Sequence, residues 1–308
     1  MENPNVAILI LHYQNARLTE QCVESVLKTT YSFFSIYVIE NGTLDPVPDN
    51  FFHANPGIKH IQFAKNYGFA EGYNRAINQI DDEYIALLNN DTIVDPNWLS
   101  PLISPLLENA KIAFTGSRIF FNGSRDLIIH AGGRFTTVGL GIDMFLGKPS
   151  SELSCQQSIS AFVCGAAMAF SKYRFIELGA FDTSYFAYGE DVDICWRAWM
   201  FGYEVIHVPE SIVYHHFSAA TSWESPTKIR LCHRNKYFNI IKNMELLPLF
   251  FALIIALCYD ILKMIIFVSD LNFTALQAIL NGYWELLTHL FTLISNRKTI
   301  QKKRRFPD

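Results

Sequence analysis

The sequence predicts an α/β domain with a mostly parallel central sheet flanked by helices, followed by a C-terminal hydrophobic helical region. Three observations predict it. Up to residue 92, short apolar runs of strand length alternate with segments of helical periodicity, the pattern of parallel strands joined by crossover helices. Turns rich in Asn, Asp and Glu close those runs, at the carboxyl ends of strands where open α/β sheets bind ligands. After about residue 225 the composition shifts to a long apolar stretch and then a basic tail.

The elements follow in order. "VAILIL" (6–11) is a strand, and "NARLTEQCVESVLKTT" places Leu18, Cys22, Val23 and Val26 at helical spacing. "FSIYVIE" is a second strand stopped by "NGT", and "IKHIQFA" is a third. "GFAEGYNRAINQI" reads as a helix opened by glycine, whose start suits a phosphate or a base edge. "EYIALLN" is a fourth strand, ended by "NDTIVDP". Residues 112–180 are strand-rich and punctuated by glycine, and are expected to add to the sheet and form an acceptor-side wall. A helix follows Gly189, then the strand "YEVIHV", which leads into "YHHFSAATS".

The chain has 308 residues, half of them hydrophobic, which allows one large domain or one domain with an appendage. A formal charge of −4 gives no electrostatic footprint for nucleic acid. The six cysteines (Cys22, Cys155, Cys164, Cys195, Cys232 and Cys258) form no CxxC pair and lack zinc spacing. Most sit in apolar runs, as small hydrophobes do. The N-terminus has no basic n-region, and its apolar run is shorter than a signal peptide needs. The expectation is a reducing cytoplasm, where the sequons at Asn41, Asn122 and Asn272 carry no glycan.

Residues 246–268 are apolar over a length that spans a bilayer, interrupted by Pro248, Asp260 and Lys263. Asp260 and Lys263, three apart, are expected to pair. "NRKTIQKKRR" then carries six cations and no acid. An apolar helix beside such a cluster reads as an anchor to anionic lipid; the alternative is a helix packed on the domain or in a dimer, with a solvated tail.

Four constellations carry chemistry. In "LLNNDT", an apolar strand delivers Asn89 and Asp91 into a turn. Asp91 suits a hard divalent cation, and Asn89 offers an amide oxygen to the metal or a bond to a ribose hydroxyl; ordinary turn chemistry explains the same residues. In "YGEDVDICWR", Glu190 and Asp191 open a helix, where exposed N–H groups favour an ionised carboxylate able to act as a base. Asp193 and Arg197 pair at i,i+4 on the helix surface; a charge-capped helix is the competing explanation. His215 and His216 end an apolar strand and suit metal or diphosphate, or a purely structural place. "KNYGFAEGYNRAI" brings Gly68 and Gly72 to a helix start without GxGxxG or P-loop spacing.

In this order the pieces are familiar. "HYQN", "VIENGT", "KNYGFAEGYN", "LLNNDTIVDP", "CGAAMAFSKYRFIELGAFDTSYFAYGEDVDICWR", "GYEVIHVPES" and "YHHFSAATS" make residues 5–240 resemble family 2 glycosyltransferases, and more narrowly the bacterial rhamnosyltransferase-like branch. The resemblance implies a GT-A fold, Rossmann-like, with residues 1–240 as the catalytic domain and 241–308 as a helical, membrane-associating region. It implies an inverting, one-step transfer of a sugar from a nucleotide-sugar donor to a hydroxyl of a saccharide or lipid-linked saccharide in surface polysaccharide or O-antigen synthesis. dTDP-rhamnose is the donor it suggests. Asn89 and Asp91 match the DxD position, and Asp91 would bind Mg2+ or Mn2+ bridging the donor diphosphate. Asp191 matches the catalytic base, with Glu190 beside it.

His215 matches the late histidine better than His216, because Ser218 then falls at the expected offset. Tyr13, Glu40 and Asn66 match positions framing the nucleotide, and Arg234 with Asn235 matches an Arg-Asn pair near the donor phosphates or acceptor. Glu40 departs from the usual aspartate, and Asn89 leaves one carboxylate at the DxD motif. The place implied is cytoplasmic, at the inner face of the cell membrane, with a homo-oligomer left open. Two other classes compete. A sugar-phosphate nucleotidyltransferase would carry a GxGxR loop where "LHYQNARLTE" stands; a non-catalytic membrane-bound carbohydrate-binding protein would not need both acidic motifs.

Overall fold

A computed structural model describes residues 4–153, 156–216 and 225–307. In chain order the elements are β1 (Val6–His12), α1 (Ala16–Val26), β2 (Phe34–Asn41), α2 (Asp49–Ala54), β3 (Ile58–Phe63), α3 (Gly68–Ile77), β4 (Tyr84–Asn89), β5 (Thr92–Val94), α4 (Leu99–Glu108) and β6 (Ile112–Phe121). There follow β7 (Ser124–His130), β8 (Gly133–Phe135), β9 (Gly141–Asp143), β10 (Ser158–Ile159), β11 (Ala167–Ser171), α5 (Lys172–Glu177), α6 (Glu190–Met200), β12 (Glu204–His215), α7 (Pro226–Asn243), α8 (Leu246–Ser269) and α9 (Phe273–Lys303).

The main sheet runs β10-β12-β6-β11-β4-β1-β2-β3, with β5 on β12 and β7 on β6; β8 and β9 form a separate pair. Strands β4, β1, β2 and β3 are mutually parallel, as the alternating pattern requires. β11 breaks the parallel run by lying antiparallel between β4 and β6. The sheet is therefore mixed.

Two-residue alternation along β1 divides the core. Val6, Ile8 and Ile10 pack toward α1 and α4, with Cys22, Val23, Leu99 and Leu102. Ala7 and Leu9 face the layer of α3 and α6, with Tyr73, Ile77, Ile194 and Cys195. Buried Cys22 and Cys195 thus act as the hydrophobes their sequence setting implies. Cys155 and Ser218, with all of "FSAATS", lie outside the described residues.

The C-terminal region departs from two expectations. Asp260 does not pair with Lys263; it turns inward to His233, Lys236, Tyr237 and Tyr283. The basic tail is only partly solvated. Arg297 donates to Ile241 O at 2.7 Å, and Gln301 Nε2 to Lys242 O at 2.9 Å. Arg305 N donates to Met200 O at 2.8 Å, so the chain returns to the end of α6. The boundary expected at residue 240 falls within α7, the helix on which α8 and α9 pack.

Candidate functional site

Parallel register aligns the strand ends. His12 lies opposite Glu40, and Leu11 opposite Asn89. Asn89 and Asp91 therefore emerge at the carboxyl edge beside the ends of β1 and β2. The turn after β4 is stitched to β12: Thr92 pairs with His215, and His216 N donates to Asp91 O at 2.9 Å. This brings residues 124 apart into one cluster, with His215 Nε2 2.8 Å from Asp91 Oδ1. The Asn89 side-chain amide lies 3.4 Å from the same ring nitrogen. His216 turns instead to Asn122, at 3.0 Å. Burial pushes the Asp91 carboxyl up, but the hydrogen bond and charge of His215 outweigh it, so the net shift is downward and Asp91 is held ionised.

One carboxylate oxygen and one imidazole suit a divalent ion whose remaining positions are filled by diphosphate oxygens and water. Among the described residues, no three His, Cys, Asp or Glu side chains gather as a self-sufficient metal cage. The donor set thus fits an Mg2+ or Mn2+ that arrives with a diphosphate.

Asp191 stands at the first turn of α6. The approach to it is strained: Phe186, Tyr188 and Gly189 have φ of 65°, 69° and 90°. α7 holds that approach. Asn235 Nδ2 donates to Ala187 O at 2.8 Å and Tyr188 O at 2.6 Å, and Arg234 Nη2 to Tyr185 O at 2.7 Å. From the other side, Phe69 N donates to Phe186 O at 2.6 Å. The start of α3 is therefore capped by this loop, which corrects the expectation that it receives a phosphate or base edge. Gly68 has φ 76°, and a Cβ there would lie 2.4 Å from Phe186 O.

Asp191 Oδ2 accepts from Gly165 N at 3.0 Å, and Oδ1 from Val192 N at 2.8 Å. The next residue along, Ala166, accepts through its carbonyl from Asn89 N at 3.0 Å. The two acidic motifs thus bond to consecutive residues, Gly165 and Ala166. Burial raises the Asp191 carboxyl, opposing the helix-terminus effect read from sequence. Glu190 is 5 % exposed, and its Oε2 has no hydrogen-bond partner among the described residues. Burial, and then the charge of Asp191, lift it well above the carboxylate range. Of the two carboxyls Glu190 is raised further, because the Gly165 and Val192 N–H groups favour charge on Asp191.

Asp193 and Arg197 do pair, at 2.8 Å, but both are buried and not on the helix surface. Lys242 joins them, 2.9 Å from Asp193 Oδ1.

The remaining expected residues divide into open and committed. Tyr13, 42 % exposed, follows β1 at the edge, its carbonyl accepting from Thr43 Oγ1 at 2.6 Å. Glu40 is buried, with Oε1 accepting from Val47 N at 2.8 Å and Oε2 from Gln62 Nε2 at 3.0 Å. Asn66 Oδ1 accepts from Gly68 N at 2.7 Å. Arg234, expected near the donor phosphates or the acceptor, is committed to protein partners. Its nitrogens bind Asn235, Glu285, Ser184 and Tyr185, because α7 buries it against α9 and the strained loop.

Sequence reasoning missed His130 and Asp143. His130 Nδ1 is 2.7 Å from Asp143 Oδ1, and Cys164 N donates to His130 Nε2 at 3.3 Å. The pair thereby holds the irregular segment that leads to Gly165. The signal was a histidine between an apolar run and "AGG", with an acid in "GID".

The surroundings have relatives. GalNAc-T7, solved with UDP, GalNAc and Mn2+, superposes with a TM-score of 0.63 at 20% identity, over 76% of this chain and 48% of that one. The mannosyltransferase PcManGT from Pyrobaculum calidifontis, solved with GDP-Man and Mn2+, does so at 0.56 and 12% identity, over 97% and 86%. The fold is GT-A. By sequence, the O-antigen biosynthesis protein RfbC of Myxococcus xanthus is 25% identical over 232 residues, 70% of this chain and 18% of that protein. The rhamnosyltransferase WbbL of Escherichia coli K12 is 26% identical over 190 residues, 55% and 72%. The poly-β-1,6-N-acetyl-D-glucosamine synthase of Staphylococcus epidermidis is 25% identical over 210 residues, 67% and 48%. The chain spans 27% of the length of another relative, protein y4gI of Sinorhizobium fredii, so it corresponds to part of several longer proteins. A model of glycosyl transferase family 2 matches residues 7–179, more than half of the 308, and the chain belongs to that family.

Proposed function

We propose that the chain is an inverting, metal-dependent glycosyltransferase. It moves a sugar from a nucleotide-sugar donor to a hydroxyl of a saccharide or lipid-linked saccharide in cell-surface polysaccharide synthesis, at the inner face of the membrane. The named rhamnosyltransferase relative makes dTDP-rhamnose the first donor to try. The observation that carries the reading is the shared segment: Asp191 binds Gly165 N and Asn89 binds Ala166 O, each at 3.0 Å.

In this reading Asp91 and His215 would hold a divalent ion, which when bound would supply positive charge beside the diphosphate leaving group. Asp191 takes the proton from the acceptor hydroxyl as that oxygen attacks the anomeric carbon from the face opposite the diphosphate. A single base and a single displacement invert the configuration. Glu190, protonated, keeps a second negative charge away from the incoming hydroxyl. Tyr13 offers an exposed ring to the nucleotide base, while Glu40 and Asn66 shape the wall behind it. Arg234 serves by holding the loop that carries Asp191.

The test is a thermal-shift screen of nucleotide sugars with and without Mg2+ or Mn2+, followed by transfer assays. A ligand at 100 times its Kd stabilises the folded state by about 2.7 kcal/mol. Stabilisation by a nucleotide sugar only with metal supports the reading; no shift with any nucleotide sugar defeats it.

A further inference from the structure

α8 has the length and composition of a membrane span, yet one stripe of it is fastened sideways. Ala252, Ala256 and Asp260 are fully buried, spaced at four residues along one side of the helix. Asp260 Oδ1 lies 2.7 Å from His233 Nδ1 and also receives Lys236 Nζ. Its Oδ2 accepts from Tyr237 at 2.8 Å and Tyr283 at 2.7 Å. Three of those donors belong to α7 and the fourth to α9. α7 is itself anchored in the catalytic domain, through Asn235 to the Asp191 loop and through Lys242 to Asp193. To stand upright in a bilayer, α8 would have to strip a buried carboxylate of four partners.

The opposite side of the hairpin is apolar and open. Phe250, Leu262 and Ile265 of α8, and Trp284, Leu287 and Phe291 of α9, are all more than half exposed. Neither helix points an acid outward on this face; exposed Asp270 stands in the turn between them, at the end away from the cations. α8 carries no carboxylate besides Asp260, and Glu285, the single acid of α9, is turned to Arg230 and Arg234. Exposed Lys298 and Lys302 stand at the end of α9, which returns beside the start of α8 through the bonds of Arg297 and Gln301. An apolar face whose helices point no carboxylate outward, cationic at one end, complements acyl chains beneath anionic headgroups.

We propose that the α8–α9 hairpin docks in the plane of an anionic lipid surface, outer face down, and does not cross the bilayer. The proposal rests on the membrane association proposed above and adds its geometry. It makes Asp260 the latch that keeps the hairpin flat, and it fixes which side of the catalytic domain faces lipid.

Cys258 supplies the probe. It is exposed, near the middle of the 24-residue α8, and about 200° round the helix from buried Ala256. A crossing helix would place it near the centre of a hydrocarbon core about 30 Å thick. An in-plane helix keeps it within about 5–10 Å of the headgroup boundary. Full-length protein and its C258S variant are labelled with a thiol fluorophore, so that the difference signal belongs to Cys258. Both are mixed with phosphatidylcholine vesicles, with and without phosphatidylglycerol, carrying bromines at shallow or deep acyl positions. The expected result is flotation that needs phosphatidylglycerol and weakens with salt, with shallow bromines quenching more than deep ones. Deep quenching overturns the in-plane geometry and leaves membrane association standing. Absence of flotation overturns both, and a concentration-dependent dimer in that case assigns the face to a second copy. Phe291→Glu and Leu287→Glu, at exposed positions, are expected to abolish flotation while the metal-dependent nucleotide-sugar shift persists. That shift reads the glycosyltransferase assignment separately.

Discussion

Asp191 and Asn89 bind consecutive residues of one segment: Asp191 Oδ2 accepts from Gly165 N, and Asn89 N donates to Ala166 O, both at 3.0 Å. Two peptide units thus link a carboxylate at a helix start to the end of β4, where the turn carrying Asp91 begins. A shift of either side moves the other, which suits a displacement in which base and leaving group act on opposite faces of one carbon.

The first consequence is for Asp191. Asparagine keeps the size and the Gly165 bond but cannot take a proton. Asp191→Asn is expected to lower kcat by roughly 10²–10⁴-fold, the usual worth of a general base. The metal-dependent nucleotide-sugar thermal shift should persist, since Asp91 and His215 are untouched. Wild-type turnover in that variant would remove Asp191 from the mechanism.

The pH dependence follows from the burial of the same group. A base must be ionised, and the Asp191 carboxyl sits above the ordinary aspartate value, chiefly through burial, with the Asp143 charge adding to it. The acid limb of kcat/KM is therefore expected above the usual aspartate range. Asp143→Asn removes a nearby negative charge and should move that limb to lower pH. An unmoved limb would show that Asp191 is not the titrating base.

Glu190 makes the matching prediction for stability. Its carboxyl is raised in the folded state, so folding favours the protonated form. The contribution is full below the ordinary glutamate value and is lost as pH rises through the raised one. Glu190→Gln stays neutral throughout. Its melting temperature relative to wild type should therefore rise as pH climbs across that window. Parallel melting profiles would mean that Glu190 ionises freely.

In the proposed reading Asp91 holds an ion, so its removal should act through the ion. Asp91→Asn is expected to abolish the Mg2+- or Mn2+-dependent part of the nucleotide-sugar shift, as chelation does to the wild-type protein. His215→Asn should only weaken it, because the charged ligand, Asp91, remains. A full metal-dependent shift in Asp91→Asn would place the ion elsewhere.

The parallel half of the fold was legible because each strand is a short apolar run closed by a polar turn, and β1 to β4 form where those runs stand. The acidic motifs were legible for the same reason: they sit at strand and helix ends. What sequence could not show was direction and pairing at long range. β11 runs antiparallel between β4 and β6, strands from distant parts of the chain whose pairing no local run records. For Arg234 the resemblance implied a place near the donor phosphates or the acceptor, and only the placement of α9 shows Glu285 against it. Asp260 and Lys263 look like an i,i+3 pair until α7 brings His233, Lys236 and Tyr237 to the other side of the helix. His130 and Asp143 meet only because the chain folds back through β8 and β9, a contact that no local period records.

Lys242 tests how far the catalytic helix depends on α7. Its ammonium is fully buried, 2.6 Å from Asp182 Oδ2 and 2.9 Å from Asp193 Oδ1, and lies over the Tyr185 ring at 4.5 Å. Burial alone would raise both carboxyls. For Asp182 the Lys242 charge reverses this, and for Asp193 the Arg197 charge does so with Lys242 behind it, so both are held below the ordinary value. Stability from these groups is present above the ordinary carboxylate range and is lost as pH falls through the depressed values. Lys242→Met keeps most of the volume and removes the charge, leaving buried carboxylates short of a partner. The expected loss in urea unfolding at neutral pH is about 3–5 kcal/mol, shrinking as acid protonates the two aspartates. Near neutrality a loss below about 1 kcal/mol, the scale of an exposed pair, would mean that Arg197 and the helix start hold Asp193 without help, and that α7 does not set the position of the Asp191 loop through this contact.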